Sequence, residues 1–137
     1  MAPAAIAPRV LIADDNGEAR EMYALHLTAL GYRVETAVDG HEAVAKARAT
    51  CPHVIVMDLL MPGLDGWGAI RELQGHAATM GIPIVVLTGH DFREFLQPTA
   101  LAIGAVSFLM KPCLPEQLAR EVGERIRAGK VWKTDAG

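Results

Sequence analysis

The sequence predicts an α/β domain built on a parallel sheet, and two observations carry that prediction. Five short apolar strings bounded by turn residues recur along the chain with helix-patterned segments between them, the mark of alternating strands and helices. Two of the strings, "VIVM" at 54–57 and "IVVL" at 84–87, are unbroken apolar runs rather than apolar–polar alternation, as in strands covered on both faces. At 137 residues and 51% hydrophobic content, the chain has material for one core and not for two.

The elements follow in order. Strands are expected over 9–13, 33–37, 54–57, 83–88 and 106–110. The first helix spans 17–30, where Met22, Leu25, Leu27 and Leu30 fall near helical spacing and Gly31 stands where a C-terminal cap belongs. Shorter helical patterns cover 40–50 and 66–73. The fourth, 91–103, contains Pro98, which removes a backbone donor and crowds the preceding turn. Its regular part is therefore expected to start or kink near Pro98, with 90–97 a long, partly irregular lead-in. The fifth helix opens on Pro115, a residue suited to a first turn, and is expected to end near Ala128. Residues 1–8 read as a flexible N-terminal segment, 9–128 as the folded domain and 129–137 as a tail or truncated linker.

Composition excludes several function classes. A formal net charge of −3 gives no general basic field for nucleic acid, and Lys130 and Lys133 around Trp132 are too small a cluster to supply one. No direct nucleic-acid partner is expected. The N-terminus lacks a basic segment followed by a long apolar one, and no apolar run approaches the ~18 residues of a membrane span. A cytoplasmic protein without membrane insertion is expected, with Cys51 and Cys113 as reduced thiols.

Sites in doubly wound sheets form at the carboxyl ends of the strands. There the first string runs into Asp14-Asp15, the third into Asp58, the fourth ends in Thr88 and the fifth runs into Lys111. Three crowded carboxylates repel each other unless a cation joins them. Hard oxygen ligands with room for water suit Mg²⁺, or Mn²⁺ in its place. A metal, an ammonium and a hydroxyl around one carboxylate suit phosphoryl transfer, with Asp58 as the nucleophile. Alone, Asp14-Asp15 would read better as a helix N-cap and first-turn acid than as metal ligands, and Asp65-Gly66 reads best as a turn capping the next helix. His26, His41, His53 and His76 have no metal-ligand spacing and read as surface or structural residues.

Taken together, Asp14-Asp15, Asp58 within "DLLMPGLDG", Thr88-Gly89 and Lys111-Pro112 resemble, in order and approximate spacing, the response-regulator receiver domain of two-component signalling. The resemblance covers about 9–128. It implies a flavodoxin-like, three-layer sheet of five parallel strands in order 2-1-3-4-5 flanked by five helices. It implies Asp58 as phosphoacceptor, with Asp15, Asp58 and the Leu60 backbone carbonyl as direct metal ligands and Asp14 holding a metal-bound water. Thr88 and Lys111 would grip the phosphoryl oxygens, and the Lys111–Pro112 peptide would be cis. Phe108 matches the aromatic switch position, where a Phe must act by packing because it lacks a phenolic hydroxyl. Leu60 and His90, each two residues past a key position, would modulate phosphate lifetime, with apolar Leu60 shielding the acyl phosphate from water.

The implied partners are a histidine kinase or histidine phosphotransfer protein upstream. Downstream, a protein effector would engage the face of the fourth helix, fifth strand and fifth helix, where Phe92 and Phe95 stand out. The implied activity is phosphorylation-controlled signalling with slow self-dephosphorylation, not enzymatic turnover. Competing readings are a receiver acting only as an interaction module, or a fragment of a larger regulator or hybrid kinase. A haloacid dehalogenase-type phosphatase needs its two aspartates spaced two apart, against adjacent Asp14-Asp15 here, and a flavin protein needs a hydroxyl-rich phosphate loop after the first strand.

Overall fold

The computed structural model describes residues 7–61, 63–89 and 93–136, with side chains described at these positions except 93–96 and 129–136. The elements are β1 (Arg9–Ala13), α1 (Gly17–Ala29), β2 (Arg33–Ala37), α2 (Gly40–Thr50), β3 (Val54–Met57), α3 (Gly66–Gln74), β4 (Ile84–Thr88), α4 (Arg93–Ala102), β5 (Ser107–Met110) and α5 (Pro115–Ala136). The strands form one parallel sheet in the order β2-β1-β3-β4-β5. The expected fold class and strand order both stand.

Side-chain alternation splits the core into two layers. Leu11, Ala13, Ile55, Met57, Ile84 and Val86 face α2, α3 and α4, meeting Ala43, Val44, Ala69, Ile70, Leu73 and Ala100. Their neighbours Val10, Ile12, Val54, Val56, Val85 and Leu87 face α1 and α5, meeting Tyr23, Leu27, Leu118 and Val122. That two-sided burial is why "VIVM" and "IVVL" show no polar alternation. Each fully buried aliphatic side chain contributes about 1.5–3 kcal/mol.

Several boundaries differ from the sequence expectation. β4 and β5 each begin one residue later, the usual uncertainty at element ends. On α1 the buried residues are Tyr23 and Leu27, an i,i+4 pair, while Met22, Leu25 and Leu30 are exposed. Of the four apolar residues expected on that stripe only Leu27 is buried, and Tyr23 joins it because its polar tip sits on a large apolar body. Gly31 sits at φ 102 just past the Leu30 cap, as its position suggested.

The larger correction concerns α4, which starts at Arg93 and passes through Pro98. Residues 93–97 are thus helical rather than a partly irregular lead-in. Pro98, the sixth residue of the helix, lies inside it and forfeits the bond to the Glu94 carbonyl, as a proline at any interior position forfeits one. Buried Ala100 anchors the following turn against the sheet. α5, expected to end near Ala128, extends to Ala136. Among the described residues no helix is long and apolar enough to cross a membrane.

Candidate functional site

Parallel register brings the polar residues together. Ala13 pairs with Met57 across β1 and β3, so Asp14 and Asp58, each one residue further on, emerge side by side. The Asp58 amide donates to the Ala13 carbonyl at 3.0 Å and the Asp14 amide to the Ala37 carbonyl at 3.1 Å, extending the sheet to its last polar residues. On the far side, the Lys111 amide donates to the Thr88 carbonyl at 2.8 Å, which seats Lys111 beside the end of β4. Asp15, Asn16, Asp58, Leu60, Thr88, Gly89 and Lys111 line a cleft of about 350 Å³ at this edge.

Asp58 is only 7% exposed and its two oxygens are used differently. Oδ1 accepts from the Leu60 amide at 3.1 Å and from the Thr88 hydroxyl at 3.2 Å, whereas Oδ2 lies 3.4 Å from Lys111 Nζ. Lys111 Nζ makes its shorter contact with Asp14 Oδ2, at 2.6 Å. Asp14 Oδ1 accepts from the Asn16 amide at 2.9 Å, so buried Asp14 is partnered at both oxygens.

Burial pushes the Asp58 carboxyl above its ordinary value, and the neighbouring Asp14 charge adds to that rise. The Leu60 amide and Lys111 oppose it without cancelling it. For Lys111, burial favours the neutral amine, but Asp14 and then Asp58 outweigh it and hold the ammonium form above its usual range. One cation therefore serves two buried carboxylates, and the closer one takes the larger share.

Oxygen atoms of Asp14, Asp15 and Asp58 all lie within 4.8 Å of one another. All the donors are hard oxygens, Asp15 is exposed to water and the cleft is open beside it, a set that fits Mg²⁺ and does not fit a thiolate- or imidazole-seeking metal.

Local sequence explains the framing. Asn16, not either aspartate, caps α1, its Oδ1 accepting from the Ala19 amide at 3.0 Å, which leaves Asp14 and Asp15 free of that duty. Asp65 caps α3 as expected, accepting from the Gly68 amide at 2.9 Å. Gly66 has a role the sequence reading missed: a Cβ there would overlap the Asp58 carbonyl oxygen, and its amide donates to the Leu59 carbonyl at 3.0 Å. Gly40 likewise presses on the Leu64 carbonyl. The signal available was a glycine directly after an Asp cap, at 65–66 and again at 39–40.

The Lys111–Pro112 peptide is cis. Phe108 is half-buried and packs against the α2–α3–α4 side of the core. Cys51 and Cys113 are free thiols. His90 and Phe92, and the side chain of Phe95, lie outside the described residues.

A doubly wound sheet with an acid triad, a threonine and a lysine gathered at one carboxyl edge defines a phospho-aspartate type of switch domain. The chain belongs to the response regulator receiver domain family, whose model matches residues 10–123, and such a domain is a signalling module rather than an enzyme. It is 33% identical over 129 residues to the probable transcriptional regulator ycf27 of Porphyra purpurea, covering 94% of this chain and 51% of that protein. It is 39% identical over 105 residues to the response regulator PleD of Caulobacter vibrioides, covering 76% of this chain and 23% of PleD. The chain thus spans about half the length of the first of these relatives and less of the second. Among solved structures, the chemotaxis response regulator CheY4 of Vibrio cholerae superimposes with a TM-score of 0.81 at 34% identity, covering 88% of this chain and 99% of CheY4.

Proposed function

We propose that residues 9–128 act as a switch that accepts a phosphoryl group on Asp58 from a phosphohistidine of a histidine kinase or phosphotransfer protein. The observation that carries this reading is the placement of Asp58, which sits within reach of Lys111 and Thr88 and among the Asp14–Asp15 carboxylates. An Asp58 carboxylate oxygen attacks phosphorus, the phosphorus–nitrogen bond breaks, and the imidazole nitrogen leaves with the electron pair. Lys111 and Thr88 have the donors to take the phosphoryl oxygens, in a transfer that depends on positioning and charge neutralisation.

Asp15, Asp58 and the Leu60 carbonyl would hold Mg²⁺ or Mn²⁺, with Asp14 supporting a bound water. The ion would supply charge neutralisation for the incoming phosphoryl group. Hydrolysis is the reverse problem, with water attacking phosphorus to release phosphate and restore the carboxylate. Leu60, 43% exposed at the cleft, supports the reading of an apolar shield over that bond, and His90 is assigned with it as a modulator. Half-buried Phe108 is the candidate for relaying Thr88 movement to the α4–β5–α5 face, where an effector protein would dock.

Phosphotransfer from candidate kinases, or from phosphoramidate, tests the reading. Wild type is expected to label in Mg²⁺ and to lose labelling in EDTA, and Asp58→Asn is expected to remain unlabelled. Equal labelling of wild type and Asp58→Asn would overturn the assignment.

A further inference from the structure

The phenol of Tyr23 is a buried polar group that the transfer chemistry does not use. It is 2% exposed, lies on the α1 stripe facing the sheet, and its hydroxyl donates to the Cys113 carbonyl at 2.7 Å, across 90 residues of sequence. Cys113 stands two residues after Lys111 in the turn that leads to α5.

The Cys113 side chain is buried in the α1–α5 layer beside Tyr23, Leu118 and Val122, and the Leu114 carbonyl accepts from the Gln117 and Leu118 amides, but little else among the described residues orients the backbone between Lys111 and Leu114. Pro112 and Pro115 have no amide proton to give. Lys111 is held on the strand side by its bond to Thr88, and the Leu114 amide is turned towards Gln117 at the start of α5. The Tyr23 bond ties the segment between these points to α1. The same helix begins at Gly17, just past Asp14-Asp15 and the Asn16 cap, so one hydroxyl connects the helix that follows the acids to the turn that follows the ammonium.

We infer that Tyr23 is a positioning residue, which through the Cys113 carbonyl sets Lys111 Nζ at its place between Asp14 and Asp58. This inference rests on the proposed switch chemistry. Burial pushes the phenol upward, so the group remains a protonated donor throughout the physiological range.

Tyr23→Phe keeps the ring and deletes the donor. Its phosphoryl uptake from phosphoramidate at saturating Mg²⁺ is expected to slow on the order of tenfold, as for a misplaced positioning group. Beryllofluoride binding should weaken with it. Mg²⁺ affinity, read by calorimetry, is expected to hold or rise, because Asp14 loses a competing cation. General loosening of the fold would instead weaken the metal and the phosphoryl analogue in parallel, and that result overturns the inference. So does a lower melting temperature with unchanged uptake.

If wild type takes up no phosphoryl group, the switch reading fails by itself. Crystals of Tyr23→Phe then decide the role of Tyr23: the Lys111–Asp14 contact is expected to open, and its persistence at 2.6 Å would overturn the inference.

Discussion

Two single positions show conformational and electrostatic cost held in the native state. Cys51 closes α2 at φ 47 and ψ 66, the left-handed cap position that glycine fills without a Cβ penalty. Its side chain is exposed and makes a long contact from sulfur to the Ala78 carbonyl, 4.0 Å. Cys51→Gly is therefore expected to stabilise the fold by about 1 kcal/mol, read as a higher midpoint in urea. Asp58 carries a cost of a different kind. Its folded-state pKa is raised above the ordinary 3.8, so between those two values the native state binds the proton more tightly than the unfolded chain does. Stability accordingly falls as pH rises through that window. In metal-free buffer, Asp58→Asn is expected to melt higher than wild type at neutral pH, with Lys111 still paired to Asp14. The difference should shrink on acidification and vanish below the ordinary carboxylate range. A difference that is constant with pH would show that ionisation is not its cause.

At the scale of elements, the sequence made the strands legible and the helices less so. Strands buried on both faces need only an unbroken apolar run, and Val54–Met57 and Ile84–Thr88 supply one. A surface helix must be read from its stripe, and on α1 exposed Met22 and Leu25 stand beside buried Tyr23 and Leu27, so apolar residues alone do not mark the packed face. α4 misled for another reason, because a proline rule counts the lost bond and not the packing that can carry a helix through it. Pro98 loses one bond to the Glu94 carbonyl, and buried Ala100 holds the next turn on the sheet. The cost is still present. Pro98 is exposed, and Pro98→Ala should raise stability by about 1–2 kcal/mol in thermal or chemical unfolding, less than the full helix-interior penalty because alanine also frees the unfolded chain. An unchanged or lower midpoint would mean that proline fits this turn as well as alanine does.

Across the whole molecule, the site was legible because a parallel sheet collects the strand ends, and its acids, threonine and lysine are chemically unusual there. Asp14, Asp15, Asp58, Thr88 and Lys111 meet as the ordered motif implied. What the sequence did not reveal is how the charges divide, with Lys111 closer to Asp14 than to Asp58, because separations of 2.6 and 3.4 Å are set by tertiary packing. Nor did it show Tyr23 reaching Cys113, a contact no local pattern encodes. The unrelieved acidity has a consequence for the molecule as a unit. A divalent cation that binds only the folded chain stabilises it by about 2.7 kcal/mol at a hundredfold excess over Kd. Mg²⁺ is thus expected to raise the melting temperature, EDTA to reverse the gain, and Asp15→Asn to lose most of it. A wild-type melting curve indifferent to Mg²⁺ would remove the metal from the reading.

The close approach of the first turns of α2 and α3 to the loop behind Asp58 limits which spellings of this chain can keep the site. At Gly40 and Gly66 even one added methyl group meets a main-chain carbonyl that has nowhere to retreat, whereas at Gly81 the space is open. Variation is thus restricted most tightly at two residues that perform no chemistry and carry no side chain. The reactive carboxylate owes its address to an absence of atoms beside it.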